Sequence, residues 1–164
     1  MATGKTRKFS RDEAEAALVY IQRELYGYSK MKICGSLRRM KSMVGDIDIV
    51  VCPKDSDNTQ PLIDSIHEIA TGDPISSGKK IVRIMVKEIQ IDFYLCSERL
   101  FGAHVLFLTG SKGFNIKCRV LAKGLGCRLS QYGLINADGT ERAIDEADIL
   151  EALGLQQFMD PELR

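Results

Sequence analysis

One segment limits the folds open to this chain more than any other: Gly45-Asp46-Ile47-Asp48-Ile49-Val50-Val51. It reads as a strand that Pro53 closes. Side chains alternate between the two faces of a strand, so Asp46 and Asp48 point the same way while Ile47, Ile49 and Val51 point toward a core. Two carboxylates crowded on one face repel each other and call for a counter-charge. A hard divalent cation such as Mg²⁺ takes oxygen ligands of this kind. Just upstream, Gly35-Ser36-Leu37-Arg38-Arg39-Met40 reads as a strand end, a glycine turn and a basic helical turn. Gly35 and Gly45 allow close backbone approach, Ser36 supplies a hydroxyl, and Arg39 can pair with phosphate. A metal-binding acid pair beside a phosphate-binding turn points to nucleotide chemistry. A lone Asp-x-Asp is more often a solvated surface feature; the glycine, serine and arginine give it weight.

The totals exclude several other chemistries. The 164 residues fit one domain or two small lobes. A hydrophobic share of 45% and a mean hydropathy of −0.10 support an ordinary core. No apolar run approaches the roughly 20 residues that span a bilayer. Met1 to Lys5 lead into no apolar signal region. Cys34, Cys52, Cys96, Cys118 and Cys127 sit among apolar neighbours with no zinc-ligand spacing. Reduced, buried thiols in an intracellular, reducing compartment are the expectation. His67 and His104 are isolated and read as structural. The net charge of +1 hides an uneven distribution: from Arg99 to Ala137 there is no acid, whereas Lys112, Lys117, Arg119, Lys123 and Arg128 are present. Such a block suits a polyanion. A solvated face is the commoner meaning of a charge run, so the block alone does not decide for nucleic acid.

In chain order, residues 1–9 read as a loose basic lead-in with Lys5, Arg7 and Lys8. Ser10-Arg11-Asp12-Glu13 is a capping box, and Ala14, Ala17, Leu18, Ile21 and Leu25 recur behind it at helical spacing. Pro61 opens a second helix with Leu62, Ile63 and Ile66. Ile81–Val86 and Ile89–Leu95 form a hairpin about Lys87-Glu88. In the second strand Gln90, Asp92 and Tyr94 share the polar face. If this strand lies beside Gly45–Cys52, Asp92 joins Asp46 and Asp48 as a third ligand. Ser111, Asn115 and Arg119 lie four apart on one helix face, ending near Gly124 and Gly126. Leu129-Ser130-Gln131-Tyr132-Gly133-Leu134 reads as a strand and turn, and Asp145 caps a short helix.

Taken together these segments resemble the family X DNA polymerases, the group that includes polymerase β. The Gly-Ser…Gly-Asp-Ile-Asp pattern, the Phe107-to-Ser111 segment, the Leu129–Leu134 hairpin and the closing Leu153-Gly154-Leu155…Pro161-Glu162-Leu163-Arg164 follow in the family's order from about Cys34 to the end. The resemblance implies an α+β fold. A nucleotidyltransferase palm, a mixed β-sheet with flanking helices, would span residues 1–105. A small C-terminal α/β lobe that binds nucleotide and template would span 106–164. No lyase domain is expected.

The resemblance also implies roles. Asp46, Asp48 and Asp92 would be catalytic and hold two Mg²⁺ ions, with Mn²⁺ as a substitute. Gly35, Ser36, Arg39, Gly45, Phe107, Leu108, Gly110 and Asn115 would bind the nucleotide. Lys112, Lys117, Arg119, Lys123 and Arg128 would contact DNA. The expected partners are primer-template or gapped DNA and a dNTP, with no membrane. The expected activity is template-directed addition to a 3′-hydroxyl, in gap filling or repair. Three departures stand out: Phe107 where many members have Tyr, Leu108 where many have Phe, and Gln90 where polymerase β-like members place an Arg beside the third Asp. The first two open the way to ribonucleotides. A template-independent nucleotidyltransferase acting on RNA or protein, and a non-catalytic nucleic-acid-binding module, are the rival readings.

Overall fold

The computed structural model describes residues 7–27, 29–55 and 57–164; Lys5 of the lead-in lies outside them. The chain first forms β1 (Phe9–Ser10) and α1 (Arg11–Glu24). β1 replaces the end of the expected loose lead-in, because Phe9 is an apolar anchor left only 4% exposed. The capping box is present in full: Glu13 N donates to Ser10 Oγ at 3.2 Å, and Ser10 N donates to Glu13 Oε2 at 2.7 Å. Next come β2 (Ser29–Ile33), the single helical turn α2 (Gly35–Arg38), β3 (Met43–Val44), β4 (Asp46–Pro53) and α3 (Gln60–Glu68). β5 (Ser76–Ser77), β6 (Ile81–Val86) and β7 (Ile89–Leu95) complete the N-terminal lobe.

Five strands make one sheet in the order β2-β4-β7-β6-β5. β4 and β7 run parallel and the other neighbours antiparallel, so the sheet is mixed. α1 and α3 cover one face. Ile47, Ile49 and Val51 pack there with Leu18, Ile21 and Ile66. Full burial of each such side chain contributes about 1.5–3 kcal/mol. The opposite face carries the acids. Beyond them on β4, Val50 is buried with Cys34 and Val105.

The C-terminal lobe holds α4 (Phe101–Thr109), α5 (Lys112–Gly124), a three-stranded sheet of β8 (Cys127–Ser130), β9 (Gly133–Asn136) and β10 (Glu141–Ala143), and α6 (Glu146–Ala152). Ser111 caps α5 and Asp145 caps α6. α4 has no counterpart in the pattern reading. It is apolar on most faces because it lies between the lobes, and so carries no helical period. The expected boundary at 105/106 falls inside this helix. Ala103 and Leu106 join the C-terminal core with Phe114, Leu134 and Ile149, while Val105 packs on Val50. No helix of the described residues is long and apolar enough to cross a membrane.

Candidate active site

Strand register brings the acids together. Asp48 stands directly opposite Asp92 across the parallel β4–β7 pair, and Asp46 stands opposite Gln90. Alternation then puts all three carboxylates on one face. Their charges act on one another. Burial first, then the charges of Asp46 and Asp92, push Asp48 up to about 7. Burial and Asp92 also raise Asp46 above the usual carboxylate range. Asp92 is 4% exposed, and its oxygens are taken: Arg83 Nε donates to Oδ2 and Gln90 Nε2 to Oδ1, both at 2.8 Å. Among the described residues no three His, Cys, Asp or Glu side chains stand as a ready-made metal cage.

The turn after β2 presses against this face. Cys34 N donates to Asp48 O at 2.8 Å, and Gly35 follows with φ +60°. A Cβ at Gly35 would run into the Asp48 carboxylate, so both the backbone angle and the space require glycine. Gly45 is different. Nothing lies within 4 Å of a Cβ built there, and it does not line the cleft. The close approach expected at two glycines is needed among protein atoms at one. Arg39 reaches across to the other lobe, where Nη1 donates to Thr109 O, while its Nε is buried without a partner.

Between the lobes lies a cleft of about 440 Å³. Gly35, Ser36, Arg39, Asp46 and Asp48 form one wall. Phe107, Leu108, Gly110, Lys112, Asn115 and Arg119 form the other. The peptide between Gly110 and Ser111 is cis. Asn115 Nδ2 donates to Phe107 O at 2.7 Å, so one amide donor is engaged within the wall. The basic block divides. Lys112 and Arg119 line the cleft, and Lys123 follows Arg119 by one turn on an exposed stretch of α5. Arg128 is exposed on β8. The Lys117 ammonium sits 4.6 Å above the Phe158 ring, and Lys117 is not among the residues lining the cleft.

Residues 8–95 match the family model of the DNA polymerase beta palm, and residues 104–164 that of the DNA polymerase beta thumb. The chain belongs to family X of the DNA polymerases. It is 33% identical over 141 residues to the DNA polymerase/3′-5′ exonuclease PolX of Bacillus subtilis, covering 82% of this chain and 24% of that protein. It is 30% identical over 118 residues to DNA polymerase lambda of Rattus norvegicus, covering 62% and 21%. The chain thus spans about a quarter or less of the curated relatives it matches. Among solved structures, polymerase beta of Leishmania infantum in a ternary P/T complex superposes with a TM-score of 0.80 at 19% identity, covering 96% of this chain and 77% of that one. At that identity the likeness shows the fold alone.

Reading the sequence for family X features missed several residues of the site. Arg83 faces Asp92 from β6, and Tyr94 stands near Asp48. Burial, then the nearby Asp48 charge, push the Tyr94 phenol up to about 12, so it remains a donor at neutral pH. Counting back from the Lys87-Glu88 turn would have paired Arg83 with Asp92. Glu146 was missed too; it joins the lobes by accepting two bonds from Arg38 at 2.8 Å and one from Arg164 at 2.7 Å. No local pattern announces that link.

Proposed function

We propose that this chain forms the catalytic core of a template-directed DNA polymerase that extends a 3′-hydroxyl at primer-template or gapped DNA, in gap filling or repair. The observation that carries the reading is the set of three carboxylates on neighbouring strands, with Asp48 pushed up by burial and then by the charges of Asp46 and Asp92. Hard oxygen donors on one face fit Mg²⁺ in kind, with Mn²⁺ as substitute. Asp46, Asp48 and Asp92 would hold the ions. The ions, when bound, lower the pKa of the attacking hydroxyl and neutralise charge on the leaving pyrophosphate. Ser36 and Arg39 bind the triphosphate, and the buried, unpartnered Arg39 Nε is a donor waiting for an anion. Gly35 and Gly110 keep that approach open. Phe107 and Leu108 form the floor under the sugar, Asn115 meets the base edge, and Arg119 meets the template. The apolar floor extends the reading to ribonucleotides.

The test is incorporation at a one-nucleotide gap with Mg²⁺ and with Mn²⁺, using matched and mismatched templates. The wild type should add the templated nucleotide, whereas Asp46→Asn should add none while melting at an unchanged or higher temperature. Activity in Asp46→Asn would overturn the metal assignment. Addition that ignores the template would favour the template-independent reading.

A further inference from the structure

Arg83 is out of place if its only company is a metal site. A cation beside metal ligands repels the metal, so a guanidinium held there needs another reason. The geometry points to Arg83 as the positioning residue for Asp92, which it holds from across the β6–β7 pair. The inference rests on the metal-binding reading above.

Three observations carry it. The β6–β7 register makes Arg83 the direct cross-strand partner of Asp92, and the β4–β7 register makes Asp48 its partner on the other side. Arg83, Asp92 and Asp48 therefore form one row across three strands. Second, Asp92 is anchored at both oxygens: Arg83 Nε and Gln90 Nε2 each donate at 2.8 Å. A carboxylate offers about four lone-pair sites, so about two remain for a metal while the anchors stay in place. Third, the Asp92 side chain is 5% exposed and that of Arg83 40%. The acid is buried and the guanidinium borders solvent, so the arginine leans in to hold the acid. Outer groups that orient a ligating carboxylate typically govern 10–100-fold in metal affinity.

Charge and position predict opposite signs. If Arg83 acts only as a charge, removing it relieves repulsion and metal binds more tightly. If it fixes Asp92, removing it frees the carboxylate and metal binds more weakly despite the lost repulsion. Mn²⁺ binding to the full chain, freed of metal and followed by electron paramagnetic resonance, separates these. Arg83→Gln should weaken Mn²⁺ binding roughly tenfold or more. Arg83→Lys keeps the charge but not the planar fork, and should fall between. Thermal melting of each metal-free variant checks the fold; should Arg83→Gln fail to fold, Arg83→Lys decides by the same sign. Equal or tighter Mn²⁺ binding in the folded variants overturns the inference. A wild type that binds no Mn²⁺ overturns the metal reading itself, and this inference with it.

Discussion

Asp48 is under electrostatic stress. Burial, then the charges of Asp46 and Asp92, push its carboxyl up to about 7 in the folded chain from an ordinary 3.8. Between those values the native state keeps a proton that the unfolded chain gives up, so stability falls as pH rises through the window. Asp46, raised for the same reasons, works in the same direction. The melting temperature of the metal-free protein should therefore drop from about pH 4 to pH 7. Asp48→Asn should flatten the slope, and Mg²⁺ near neutrality should restore stability by supplying the counter-charge. An Asp48→Asn slope no different from that of the wild type across that range in chelator would refute the account. Phe107 carries the second prediction at this scale. Its ring is 36% exposed at the cleft and brings no hydroxyl. An apolar surface rejects an added hydroxyl by only about 100-fold, so kcat/KM for a dNTP should exceed that for the matching NTP by no more than this. A preference of 10⁴ or above would show that another group reads the sugar.

At the scale of elements, α5 divides the basic block into two populations. Arg119 lines the cleft, and Lys123 follows it by one turn, whereas Lys117 lies over Phe158. Each lost phosphate contact lowers the slope of log affinity against log salt by about one. Arg119→Ala and Lys123→Ala should each reduce the slope for primer-template binding, and Lys117→Ala should leave it unchanged. A Lys117→Ala slope that falls with the others would show the bound helix turned relative to this structure. The same helix shows what was legible beforehand. Ser111 at the cap and the Asn115–Arg119 spacing are local, so the sequence displays them directly. So are the capping box of α1, the β6–β7 hairpin and the alternation of Asp46 with Ile47. The Lys117–Phe158 contact is not legible in the same way, because the aromatic neighbour comes from a segment some forty positions on. α4 was missed for a related reason: a helix wrapped by two lobes has no polar side to mark its phase. The β4–β7 pairing that joins Asp48 to Asp92 is long-range too, and only the family resemblance made it an expectation.

At the scale of the whole molecule, one buried network ties the lobes together. Arg38 lies on α2 with Gly35 and Ser36, and donates both to Glu146 on α6 and, at 2.6 Å, to Thr109 Oγ1 at the end of α4. Arg164, near the chain's end, completes it; its side chain is 0% exposed, against 14% for Arg38 and 15% for Glu146. Burial works to raise the Glu146 pKa, but hydrogen bonds from the two arginines outweigh it and hold the carboxyl below its usual range. The stabilisation is then present above about pH 4.5, the ordinary value, and fades as pH falls through the lower folded value. A buried ion cluster is weak evidence for net stability, since apolar residues of the same volume often do as well. Removing one partner is another matter, because it strands the others. Glu146→Ala leaves two guanidiniums without their acid and should cost about 3–5 kcal/mol in urea denaturation near neutral pH. A coupled change to apolar residues at Arg38, Glu146 and Arg164 should cost far less. The network also sets where the two walls of the cleft stand, since Arg38 neighbours Arg39 on one wall and bonds Thr109 next to Gly110 on the other. The triple variant should therefore keep its fold yet show a raised KM for nucleotide. If it keeps both stability and KM, the link is packing alone and the lobes find their places without it.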